Sequence, residues 1–143
     1  MNVAKLLQNP RFTWNLRGAP DTEALEAFRE QAPDNLPRTY MKLMRAGNGA
    51  SGKVPYESGH IEVWPLESVV VENQSHGVTA ALPGFFAFAT DGGESLFAFD
   101  LREPDGAAVV SLNAKSLDTH HVEFLAASFS EFLEHAVNMG RNF

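Results

Sequence analysis

The 143-residue sequence contains no cysteine. That excludes a disulfide framework, a cysteine nucleophile and any thiolate metal site, and it fits a reducing compartment. Long apolar runs are also missing: nothing approaches the roughly 18 residues a membrane helix needs. The first apolar stretch, beside Lys5, stops at Gln8 and Pro10, short of a signal peptide's core. A soluble, cytoplasmic protein is expected. Positive charge is absent from a third of the chain. Between Lys53 and Arg102 there is no Lys or Arg, while Glu57, Glu62, Glu67, Glu72, Asp91, Glu94 and Asp100 all lie there. The segment before it carries +3, the segment after it -3, and the whole chain -7. Such a surface suits nucleic acid poorly, because phosphate binding needs neutralising cations. The acidic middle either aids solubility or faces a basic partner.

What is present is ordinary for a globular chain: 44% hydrophobic and 20% charged residues. The length suits one domain spanning residues 1–143. Helices come first, strands in the middle and a helix last, an order that points to α+β. The first clear helix covers 21–32. Pro20 and Asp21 open it, Leu25, Phe28 and Ala32 form its buried stripe, and Pro33 ends it. A second begins at Pro37, turns Tyr40, Leu43 and Met44 inward, and stops at Gly47. In the last, Ser128 and Glu131 make an S-x-x-E capping box. Phe129, Phe132, Leu133, Ala136 and Val137 follow at helical spacing, and Gly140 is the expected stop. Strands are expected at 60–64, 85–89, 95–101 and 109–112. Thr90-Asp91-Gly92-Gly93-Glu94 makes a hairpin loop, and Pro104-Asp105-Gly106 makes a turn. Residues 66–73 fit either a helix, by spacing, or a strand, by their valine run. Nine of the eleven phenylalanines lie from Phe85 onward, which suggests an aromatic core between sheet and last helix.

Several patterns invite a catalytic reading. Gly47-Asn48-Gly49-Ala50-Ser51-Gly52-Lys53 matches both G-x-G-x-x-G and G-x-x-x-x-G-K. Both cradle phosphate after a strand and before a helix. Here a helix precedes, Val54 replaces the magnesium-binding hydroxyl, and Pro55 opposes a following helix, so a flexible helix-to-strand loop is expected. The five histidines form no H-x-x-x-H or H-E-x-x-H pair. Asp118, His120 and His121 lack a third ligand at metal spacing and read as a solvated loop. No G-x-S-x-G elbow exists. Asp91 and Glu94 are two carboxylates at one turn, but acid–base work needs one of them in a cleft with a raised pKa.

Three segments together resemble the SUKH superfamily, which includes the yeast Smi/Knr cell-wall regulators. Leu36-Pro37-Arg38-Thr39-Tyr40, Leu43 and Gly47-Asn48-Gly49 are similar to its LP-x-x-Y…NG helix and loop. Phe88-Ala89-Thr90-Asp91-Gly92-Gly93-Glu94-Ser95, with Phe97, Phe99 and Asp100, is similar to its strand–DGGG–strand hairpin, departing at Glu94. Ala127-Ser128-Phe129-Ser130-Glu131-Phe132-Leu133 is similar to its closing SF-x-EFL helix. The order and spacing match over about 21–137. The resemblance implies N-terminal helices and a C-terminal helix packed on a mixed, largely antiparallel sheet. It implies that the recurring residues are mostly structural. In bacteria the family supplies immunity proteins that bind and neutralise toxins; in fungi it supplies regulators of cell-wall synthesis. The absence of fungal-style disordered arms points to the bacterial side.

The expected function is therefore stoichiometric binding of a basic toxin domain, without catalysis, cofactor, metal, nucleic acid or membrane. A regulatory or scaffolding domain in envelope signalling is the alternative, and a small enzyme using Asp91 or His120 a third. The expected partner surface is the acidic middle: Glu57, Glu62, Glu67, Asp91 and Glu94, with Trp64 as apolar anchor. Trp64 alternates with Ile61 and Val63 and so either leaves the core or packs on a second buried face.

Overall fold

Each helix starts and stops where the local chemistry requires. A computed structural model describes residues 3–56, 58–103 and 107–138. After a short α1 (Val3–Gln8), α2 (Thr22–Gln31) begins at Asp21, whose carboxylate accepts the Ala24 N–H at 2.8 Å. In α3 (Arg38–Gly47) Tyr40, Leu43, Met44 and Gly47 are buried, and Asn48 caps the end in the left-handed conformation at φ 46°. In α6 (Phe129–Asn138) the five residues expected inside are all buried. The Glu131 N–H donates to Ser128 Oγ at 3.1 Å, while the Glu131 carboxylate accepts from Ala127 N–H, one residue before the cap. The expected stop at Gly140 and the turn at 104–106 lie outside the described residues.

Residues 66–73 are helical: α4 is Leu66–His76, followed by α5 (Val78–Ala81) after Gly77 at φ 70°. A strand would put Val69 and Val71 on one face. The helix separates them, burying Val69 completely and leaving Val71 56% exposed.

Seven strands form one sheet: β1 (Asn15–Leu16), β2 (Ala50–Lys53), β3 (His60–Val63), β4 (Phe85–Thr90), β5 (Ser95–Asp100), β6 (Ala108–Asn113) and β7 (Glu123–Ala126). They lie side by side in chain order, and all six pairings are antiparallel. The fold is α+β, with the largely antiparallel sheet that was expected. The 47–53 segment is a correction: instead of a flexible loop, its second half is β2, paired on both sides. Its glycines answer to packing. A Cβ at Gly47 would sit 2.8 Å from Leu16 Cδ2, and one at Gly52 would collide with the Trp14 indole. Gly49 adopts φ 102°, beyond the reach of an ordinary residue, with Val63 O close against it.

β4 gains an extra residue at Phe88, because the register steps from Ala87↔Ala98 to Ala89↔Phe97. Phe88 then stacks on Phe99 at 4.4 Å and meets Tyr40, Phe129 and Phe132 at 5.5–5.9 Å between ring centres. Phe132 extends this aromatic block towards Phe97, Trp14 and Tyr56. β3 pairs with β4 no further than Ala89. The Trp64 N–H reaches Phe88 O, and the chain then leaves the sheet for α4. Among the described residues no helix is long and apolar enough to cross a membrane.

Candidate functional site

Beyond the aromatic block, on the same sheet face, is a cleft of about 360 Å³. Cross-strand register builds it. Phe97 pairs with Ser111 and Ser111 with Glu123, so these three side chains form a row across β5, β6 and β7 that faces the cleft. Leu125 adds to the floor, and the β4–β5 hairpin brings Asp91, Glu94 and Ser95 to the rim. Tyr56 closes one end. Its ring stacks on Phe132 at 5.7 Å, and its hydroxyl lies 2.9 Å from His135 Nδ1. Burial, helped by the nearby negative charge of Glu131, pushes the Tyr56 phenol up to about 12, so it stays neutral and acts as a wall.

The carboxylates at the rim differ in how they are held. Asp91 Oδ1 accepts the Gly93 N–H at 2.8 Å and the Ser95 N–H at 3.2 Å, which shapes the turn. Glu94 lies 2.8 Å from Lys115 Nζ. Glu123 is exposed on β7 and has no ion-pair partner among the described residues. The acidic middle is therefore partly compensated in space. Lys115 folds back to Glu94, and Arg102 makes two 2.9 Å bonds to Asp100, holding that carboxyl below its usual range.

Of the other expected partner residues, Glu62, Glu67 and Trp64 do not line the cleft. Glu57 is outside the described residues. Glu62 alternates with the buried Ile61 and Val63 and points to the opposite sheet face. Glu67 accepts a 2.9 Å bond from Asn48 Nδ2, while Asn48 Oδ1 accepts the Leu66 N–H, so Glu67 helps tie the end of α3 to the start of α4. Trp64 takes the core alternative: it is 7% exposed and stacks on His76. It is not a surface anchor, because the strand ends before it and the turn into α4 folds its ring inward. Sequence reasoning missed Glu123, since nothing around His120 and His121 announced a strand. Those histidines sit in an exposed 3-10 turn, where the Asp118 carboxylate accepts the His120 N–H and is held below its usual range by that bond. No group of three His, Asp or Glu side chains is placed to hold a metal among the described residues.

The family model of SMI1 / KNR4 family (SUKH-1) matches residues 19–135. The chain belongs to the SUKH-1 family. No curated protein matches it. As a SUKH-1 domain it joins the three motif-bearing segments in one place: Tyr40, Phe88 and Phe129 lie within 5.9 Å of one another, ring centre to ring centre. The three motif-bearing segments thus meet in the core, while Glu123, inside the matched range, lies between the second and third of them.

Proposed function

We propose that this SUKH-1 chain is a non-catalytic binding protein, an immunity protein that neutralises a cognate basic toxin domain by occluding it. The observation that carries this reading is the cleft, where Asp91, Glu94 and Glu123 surround an apolar floor of Phe97 and Leu125. A floor of that kind accepts the stem of a long cationic side chain, and the rim accepts its head. Asp91 and Glu94 are engaged by backbone donors and by Lys115, which suits recognition better than acid–base work. Acidic rim groups raise the rate of encounter and set orientation, and the apolar floor supplies affinity.

The test is co-expression with the toxin encoded by an adjacent gene, followed by size-exclusion chromatography with light scattering. A one-to-one complex that abolishes toxin activity supports the reading. An active toxin in the presence of excess protein overturns it.

A further inference from the structure

The two ends of the sheet are finished differently. β1 is two residues long, and Arg17 and Gly18 N–H both donate to Gly47 O, turning the chain out of the sheet. So short an edge offers little to pair with. β7 pairs only with β6, and among the described residues no backbone hydrogen bond outside the sheet involves residues 123–126. It carries neither Lys nor Pro, the usual guards of an edge. Val122, just before it, is already extended at φ -82° and ψ 122°. The register shift at Leu125 bends the strand beyond Phe124, so the regular stretch is Glu123–Phe124, entered through the extended Val122, whose N–H donates to Thr119 O.

Two independent features meet on this stretch. Glu123 faces the cleft on its β7 side, across the apolar floor from the hairpin that carries Asp91. Phe124, on the opposite face, is 67% exposed, more than any other large hydrophobic residue among those described. We propose that β7 receives an extended basic segment of the partner protein as an eighth strand, one cationic side chain entering the cleft at Glu123 and an adjacent apolar side chain covering Phe124. The proposal rests on the reading that this chain binds a protein. Alternation along an added strand presents neighbouring side chains to opposite faces, which is what an acidic cleft on one side and a bare ring on the other require. Charge selects the occupant. A second copy of the chain would set Glu123 against its own kind on a protein of net charge -7, whereas a basic segment is attracted.

The probe is a fluorescein-labelled, end-blocked hexapeptide of alternating lysine and valine, titrated with the full chain at low salt. Its controls are the same peptide N-methylated at alternate residues and a version with glutamate for lysine. The expected result is saturable binding, with new amide-exchange protection in 122–126. Affinity falls at least about tenfold on N-methylation, since the backbone bonds are lost. It falls similarly in Phe124→Lys and in Glu123→Lys, both at exposed positions, and the glutamate peptide does not bind. Absence of binding, binding indifferent to N-methylation, protection elsewhere, or a dimer of this chain through β7 each overturns the proposal. A toxin complex that leaves 122–126 unprotected also overturns it, while the partner reading stands. Peptide bound at β7 with no toxin neutralised supports the edge site and removes the immunity reading.

Discussion

The side-chain amide of Asn73 pairs with the backbone of Ala87 as a neighbouring strand would. The Ala87 N–H donates to Asn73 Oδ1 and Asn73 Nδ2 donates to Ala87 O, both at 2.8 Å, and a further 2.8 Å bond from Nδ2 reaches Val69 O. Asn73 is 2% exposed, and it takes over where β3 stops pairing with β4. Asn73→Ala leaves two buried backbone groups unpaired, at about 1–3 kcal/mol each. Urea unfolding should show a loss of at least about 2 kcal/mol; a smaller loss means water reaches Ala87.

Tyr40 presents the opposite case. It is fully buried among Phe88, Phe99 and Phe129, and its hydroxyl has no hydrogen-bond partner among the described residues. Burial pushes its phenol far above the usual range. Tyr40→Phe removes an unpaired polar group and keeps the ring, so the melting temperature should hold or rise, by about 1 kcal/mol in stability. A drop of several degrees would reveal a partner for the hydroxyl.

Phe132 touches five aromatic neighbours and is fully buried. Phe132→Ala should cost about 3–5 kcal/mol, and Ser128→Ala about 1 kcal/mol through the lost cap. Calorimetry that finds the two variants equally stable would reverse the ranking of packing over capping.

Alkaline pH should expose the burial of Tyr56. Its phenol ionises near 10 when unfolded and at about 12 when folded. The folded state thus favours the neutral form. Its contribution is complete below pH 10 and is lost as pH rises towards 12. Against Tyr56→Phe, the parent should lose stability across that window and show no pH-dependent difference between pH 7 and 9. Parallel curves through pH 12 would place the hydroxyl in solvent.

Association with a basic partner should be salt-dependent. Screening shortens from about 8 Å at physiological ionic strength to about 3 Å at 1 M, so stopped-flow on-rates should fall steeply over that range. Glu123→Lys should slow association at low salt with little change in melting temperature. Glu62→Lys, on the other sheet face, should matter less. Equal effects at the two positions would move the docking surface away from the cleft.

How legible the fold was depends on what each segment packs against. The helices α2, α3 and α6 declare themselves because caps and apolar spacing agree, and β4 and β5 because an Asp-Gly-Gly turn separates two apolar runs. Ala50-Ser51-Gly52-Lys53 hid β2, since the strand needs small residues beneath Trp14 and so lacks the branched side chains that mark a strand. β7 hid because its register shift breaks the alternation at Leu125. The hairpin placed Asp91 and Glu94 at the site, but Glu123 became visible only once β7 did. Trp64 was ambiguous because alternation fails just past a strand's end, where the chain turns away.

The three glycines between α3 and the end of β2 have a consequence for anyone scanning genomes by pattern. Gly47 makes room for Leu16, Gly49 supplies a backbone angle, and Gly52 lies bare beneath an indole. Three unrelated spatial demands happen to fall at the intervals of a phosphate-binding loop, and Lys53 follows by coincidence. A text search returns this chain as a nucleotide binder wherever it is encoded. The filter that removes such hits is cheap: ask whether an aromatic ring from an earlier segment of the chain covers the last glycine of the pattern.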